Sequence, residues 1–274
     1  MEAVATRNNP FGQLLKSWRG SRKLSQLDLA VEAEVSQRHL SFLESGRAQP
    51  SRDMVLLLAE ALDVPLRERN TLLGSAGFAP LYRERELDGP DMKPVRQALE
   101  MTLKHHEPYP AIVVNRDWDL IMGNEAAHRM YASLGDPEEV WQRIDPSGHQ
   151  NTLRLIFHPQ GMQPLIRNWD QVVTHMLNRL QREAATEPGD SSLKKLLDEI
   201  SQYPGVPDAE SAIWQTPPPP IMPVEMDMGG MVLKTFTMIS TFGTPQDITT
   251  DELRIETFFP ADDFTREVFQ KLAG

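Results

Sequence analysis

The chain has 274 residues, 40% of them hydrophobic, no cysteine, and a formal net charge of −11 from 28 basic and 39 acidic side chains. That length supports two domains with cores of their own, and the missing cysteine excludes a disulfide framework, a thiolate zinc site and a cysteine nucleophile. No apolar run approaches the roughly 20 residues of a membrane span and MEAVATRNNP lacks a signal-peptide core, so the expectation is a soluble, cytoplasmic protein with no membrane partner.

The charge is unevenly shared. Residues 1–80 carry 10 Lys and Arg against 9 Asp and Glu; the remainder carries 18 against 30. An acidic second half repels a polyanion and leaves any contact with one to the local cluster Arg19, Arg22, Lys23, Arg38, Arg47 and Arg52.

In chain order, a first helix is expected over Phe11–Arg19, with Leu14, Leu15 and Trp18 inward. Residues 23–47, KLSQLDLAVEAEVSQRHLSFLESGR, read as a helix, a tight turn and a second helix. Ser25 is the N-cap of the first, and Leu27, Leu29, Ala30 and Ala33 are its apolar positions. After the turn Glu34-Val35, Ser36 caps the second helix, which turns Leu40 and Leu43 inward, leaves Gln37, Arg38, Ser41 and Glu44 free to project, and stops at Gly46. Two short helices with Gln and Arg in the first turn of the second fit a major groove. Gln pairs in bidentate fashion with adenine and Arg with guanine. Ser51 caps a fourth helix over Met54–Leu62, and Pro65 starts a fifth that ends near Gly77. Leu81–Pro94, mixed in charge and poor in large apolar residues, reads as a linker over 81–94.

The segments LSQLDLA, VSQRHLSFLESGRAQPS and MVLLLAEALDVP resemble the XRE family of DNA-binding domains, and the resemblance covers residues 11–78. It implies an all-α, five-helix helix-turn-helix domain over 1–80 that contacts an operator in double-stranded DNA through Arg22, Lys23, Gln26, Ser36, Gln37, Arg38, Ser41 and Arg47. Gln26 matches the family's phosphate-bracing glutamine, and Gln37, Arg38 and Ser41 its base-facing positions. The chain departs from the family at Glu34, where a glycine is usual; a left-handed residue there costs about 1 kcal/mol.

The second domain opens with a helix over Val95–His105 and a hairpin of Ala111–Val114 with Trp118–Met122, which feeds a helix over Asn124–Leu134. A Pro- and Gly-bearing loop follows, then a short helix over Leu153–Phe157. One long helix is expected over Gln163–Ala185, with an apolar stripe at 165, 166, 169, 172, 173, 176, 177 and 180, and another over Ser191–Ile200. The run Pro217–Pro220 reads as an extended surface segment. Strands return at Ile221–Met228, Met231–Phe242 and Leu253–Phe259, with a hairpin turn at Gly229-Gly230 and a further turn at Thr249–Glu252. The fold class is thus α+β, the second domain being an antiparallel five-stranded sheet with helices on one face.

This order, with FHPQ, the Asn168-Trp169 pair and the junction RERNTLLGSAGFAP, resembles the MmyB-like transcription regulators and their PAS-like domain, here residues 95–274. The resemblance implies a small hydrophobic, fatty-acid-like ligand held between sheet and helices. Trp118, Arg154, His158, Trp169, Met222 and Met238 are the candidate contacts, with His158 and Arg154 meeting a carboxylate head group. The function expected is that of a ligand-responsive, sequence-specific transcription regulator, acting as a homodimer on half-sites about 10 base pairs apart. A repressor or antitoxin-like DNA binder whose second domain engages a protein partner is the alternative reading. No catalytic or metal-binding residue is assigned and no cofactor is expected. His105-His106 are adjacent and face different ways, and the chain has no G-x-S-x-G motif and no phosphate-cradling glycine loop.

Overall fold

The computed structural model describes residues 9–145, 147–186, 188–189, 191–207 and 220–273. One compact unit is carried by the N-terminal segment up to Glu84 with Ala185–Gly189 and Pro245–Asp251; the other is carried by Arg85–Ala184, Asp190–Thr244 and Glu252–Gly274.

The first unit is built on α1 (Pro10–Ser21), α2 (Gln26–Glu32), α3 (Gln37–Glu44), α4 (Arg52–Ala61) and α5 (Leu66–Ser75). Serine starts three of them. Ser25 closes a reciprocal capping box with Asp28, while the hydroxyls of Ser36 and Ser51 accept from the backbone N–H of His39 and Met54. Glu34 takes the left-handed backbone expected of it, at φ 52°, immediately after the end of α2. Leu15, Trp18, Leu29, Leu40, Leu43, Leu58 and Leu72 form the core. Gly12 lets α1 approach the end of α3: a Cβ there would meet the carbonyl oxygens of Leu43 and Glu44 at 2.6 Å. The Asn9 amide donates to those same two carbonyls, satisfying groups that a helix end leaves open.

The second unit runs α6 (Lys93–His105), β1 (Ala111–Val114), β2 (Leu120–Gly123), α7 (Glu125–Ala132), α8 (Pro137–Ile144), α9 (Thr152–Phe157), α10 (Trp169–Ala185), α11 (Ser192–Ile200), β3 (Val224–Met228), β4 (Met231–Ser240), β5 (Arg254–Pro260) and α13 (Asp263–Leu272); α12 (Ile248–Glu252), which precedes β5 in the chain, belongs to the first unit up to Asp251. The five strands are antiparallel in the order β2-β1-β5-β4-β3. The α+β class and the five-stranded antiparallel sheet are as expected, but helices cover both faces of the sheet and not one, because α6 packs on the side of β1 opposite the main core. Strand β1 is buried on both faces, so its residues sort by period two. Ile112 and Val114 join the main core with Leu153, Phe157, Val173 and Leu177; Ala111 and Val113 meet Leu99 and Leu103 of α6 on the other face.

Several boundaries differ from the sequence reading for local physical reasons. The segment read as one helix over Gln163–Ala185 breaks into a 3₁₀ turn, Gln163–Leu165, and α10. Between them Ile166 bridges to Met226, Arg167 N–H donates to Glu225 O at 2.8 Å, and the Asn168 carboxamide oxygen accepts from Glu225 N–H. Those bonds cover the outer edge of β3, which would otherwise present unpaired backbone. The stretch read as a Pro- and Gly-bearing loop contains α8: Asp136 caps it, Pro137 opens it, and Val140, Trp141 and Ile144 make its buried face. The segment Thr249–Glu252, read as a turn, is helical and makes up all but the first residue of α12, and α13, capped by Asp262, is an element the sequence reading lacks. Of the proline run, Pro217 to Pro219 lie outside the described residues.

Candidate functional site

The projecting side of α3 carries the first candidate site. Gln37 and Arg38 are exposed and Ser41 is half-buried, in the first turns of a helix fixed by the Ser36 cap. Phe42, which the sequence reading passed over, is a platform for two guanidinium groups. The Arg38 Cζ lies 5.3 Å and the Arg47 Cζ 5.7 Å from its ring centre, an arrangement that holds cations by the ring quadrupole without pairing them. Lys23 is exposed at the left-handed end of α1.

Three of the polar groups expected on this surface are engaged elsewhere. Arg22 donates to the carbonyls of Leu62 and Asp63, each at 2.8 Å, and stacks over Trp18, so it ties α1 to the end of α4. Glu44, read as free to project, has a side chain only 5% exposed. It accepts from Arg19 Nε at 2.7 Å and Nη2 at 3.0 Å, and from Gln26 Nε2 at 2.7 Å. Arg19 is thereby removed from the basic cluster, and Gln26 presents a braced amide at the start of α2.

The second site is a cavity of about 490 Å³ between α9, α10 and one face of the sheet, within the size range of small-molecule pockets. Trp118 and Met222 line it, and Met238 touches it from β4, where the register turns its side chain away from the face of Thr237 and Ile239. Trp118 is buried at φ 67°, set by a turn in which the Asn115 side chain accepts from the N–H groups of Asp117 and Asp119. Its carbonyl accepts from both the N–H and the hydroxyl of Thr152, which fixes the indole in place. Arg179 and Arg254 flank the ring at 4.7 and 5.1 Å. Met222 is half-buried, while Met238 is more than half exposed.

Arg154, His158 and Trp169 do not reach this cavity. Arg154 forms a two-point pair with Glu199, at 2.9 and 2.8 Å, and also binds Asp145. That network joins α9 to α11. Burial works against the Asp145 charge, but hydrogen bonds from Ser147 and then Arg154 bring its carboxyl below the ordinary range; Arg154 does the same for Glu199 against burial. His158 sits edge-on to Tyr203, with Nδ1 accepting from Gln160 N–H. Trp169 packs on Phe157 and donates from Nε1 to Gly205 O.

The polar groups that do line the cavity are Arg179, His175 and Glu256. Among the described residues, neither Arg179 Nε nor Trp118 Nε1 has a hydrogen-bond partner. Burial works against the Arg179 charge and pulls its pKa below the ordinary guanidinium range; Glu256 and Glu183 act in the opposite sense and Arg254 adds to the reduction. Burial pushes the Glu256 carboxyl above its usual range, countered by Arg179 and a hydrogen bond with Thr237. Helical spacing carried a signal for Arg179: it lies three and seven residues after Met176 and Val172, on the apolar stripe.

Residues 15–69 match the helix-turn-helix family, and residues 95–272 match the MmyB-like transcription regulator ligand binding domain. No curated protein matches the chain. A solved structure of an RNA-binding Light-Oxygen-Voltage Receptor is similar at 10% identity and a TM-score of 0.26, covering 98% of this chain. The match takes in 62% of that structure's own length. Among the described residues, no helix is long and apolar enough to cross a membrane. With a helix-turn-helix head ahead of this second domain, the chain belongs to the family of transcription regulators with an MmyB-like ligand binding domain.

Proposed function

We propose that the protein is an operator-binding regulator whose second unit takes a fatty-acid-like molecule: its apolar chain along the cavity and its carboxylate on Arg179. The observation that carries this reading is a cavity of about 490 Å³ holding a buried guanidinium with an N–H that no described residue accepts. An unsatisfied buried donor costs about 1–3 kcal/mol, and a carboxylate is the partner that offsets it best. The ligand changes DNA binding only by its differential affinity for two arrangements of the protein, typically worth about 1–3 kcal/mol. The active species is a homodimer reading two half-sites.

Native mass spectrometry of the freshly purified full chain, followed by organic extraction, tests the ligand class. A bound aliphatic acid in one-to-one ratio with the chain is expected. A clean polypeptide mass that palmitate does not shift would remove the ligand reading and favour control by a protein partner.

On the DNA side, Arg38→Ala is expected to cost about 1–3 kcal/mol on the operator and to relax preference at one base pair. Arg22→Ala should instead lower the melting temperature, because its bonds to the carbonyls of Leu62 and Asp63 tie α1 to the end of α4. Gel-shift titration on operator and random duplexes, with thermal melts of both variants, checks the pair. Equal loss on both duplexes for Arg38→Ala would reduce that arginine to a phosphate contact.

A further inference from the structure

A second cavity, of about 670 Å³, lies in the same unit and is strongly apolar, with Met130, Leu165, Met228, Leu233 and Phe269 in its wall. Met226 and Thr235 line both cavities, and each is only 7% exposed. The strand register explains the sharing. Met226 pairs with Leu233, Val224 with Thr235, Thr237 with Phe258 and Ile239 with Glu256. Paired residues share a face and side chains alternate, so all of these point to one side of the sheet. The two cavities are therefore successive stretches of a single sheet face, meeting at Met226 and Thr235.

The same register measures the first stretch. Glu256 lies opposite Ile239 and Met226 opposite Leu233 on β4, so a rise of about 3.4 Å per residue and a strand spacing of about 4.8 Å put them roughly 20 Å apart. The polar end of the cavity, with Arg179 and Trp118, is thus at the far end from Met226. Met226 is unbranched, with torsions free to swing the thioether aside. It is also pinned at its backbone by the bridge to Ile166, so its side chain can move while the wall around it stays.

We propose that Met226 is the partition that sets how long an aliphatic tail the second unit accepts, and that the cavity beyond it receives the end of a longer tail. The inference rests on the fatty-acid-like reading above and adds the residue that limits chain length. A ligand anchored at Arg179 fills the first stretch up to Met226. A longer one must displace that side chain to place its last methylenes against Leu233 and Phe269.

Displacement of bound cis-parinarate from the full chain by laurate, palmitate and arachidate tests it, in wild type, Met226→Ala and the double variant Met226→Ala/Leu233→Trp. Wild type is expected to gain affinity from laurate to palmitate and then stop gaining. Met226→Ala should gain about tenfold or more for arachidate relative to laurate, the scale that one or more methylenes in an apolar pocket can supply. Trp at 233 fills the second cavity and should cancel that gain. Met226→Val, a smaller excision, should shift the ladder the same way and serves if the alanine variant does not fold. An identical chain-length ladder in wild type and both Met226 variants would overturn the partition, as would a gain for arachidate that survives Leu233→Trp. No binding of probe or acids by any of the proteins would overturn the fatty-acid reading itself and the partition with it, a flat result distinct from an unchanged ladder.

Discussion

Replacing Arg179 with methionine is expected to weaken palmitate binding by about 2–3 kcal/mol, about thirtyfold to 150-fold, with little change in the melting temperature. The two readouts separate because of where the charge sits. Arg179 stacks on Trp118 from a helix face that otherwise carries Val172 and Met176. Burial disfavours its charge and Nε donates to no described residue. In the empty protein Nε is an unmet donor. Although Arg179 offsets the buried Glu256 carboxylate, that group takes up a proton once the cation is gone, so exchange for an apolar side chain of similar length should cost little stability. With a carboxylate present, the guanidinium supplies a charge-assisted, two-point contact. Arg179→Lys keeps the charge but loses the planar fork, and should fall between wild type and Arg179→Met. Calorimetric titration with palmitate beside thermal melts of the three proteins decides it. Undiminished palmitate affinity in Arg179→Met would show that the head group is held elsewhere.

The second large effect concerns stability. Glu44→Ala is expected to cost about 3–5 kcal/mol, the usual result of removing one partner from a buried ion pair. The loss strands three donors together: Nε and Nη2 of Arg19, whose side chain is 14% exposed, and the amide of Gln26. With natural domains stable by only about 5–15 kcal/mol, that change alone brings the helical head near its unfolding threshold. Urea unfolding followed by circular dichroism measures it. Arg19→Met in the Glu44→Ala background should recover much of the loss, since it removes the uncompensated cation, and the double-mutant cycle isolates the pair. A single-variant cost below about 1 kcal/mol would place the pair with ordinary surface ion pairs instead. DNA affinity should fall with folded fraction in Glu44→Ala but return in the double variant, because the exposed Gln37 and Arg38, the proposed base contacts, do not take part in the network.

These residues also mark how far the sequence could be read. The caps at Ser25, Ser36 and Ser51, the left-handed Glu34 and the stop at Gly46 depend on a few neighbouring residues, so local stereochemistry suffices to place them. The same holds for the five strands, which short apolar and β-branched runs and the Gly229-Gly230 turn are enough to place. The break before Trp169 was not legible because it answers a tertiary need: Arg167 and Asn168 leave the helix to close the edge of β3, far along the chain.

The task of each charged side chain lay furthest from sequence. Arg19, Arg22, Arg38 and Arg179 are the same residue type. One is paired with Glu44, one is bonded to α4-end carbonyls, one stands exposed over Phe42, and one lines the cavity. Arg154 looked like a head-group partner for His158 on helical spacing, yet Glu199, from another helix, takes its guanidinium. Local sequence sets backbone conformation because that depends on sterics within a turn or two. What a charge does depends on the dielectric and the partners that packing brings to it from elsewhere in the chain, so only the tertiary structure decided which arginine lines the cavity.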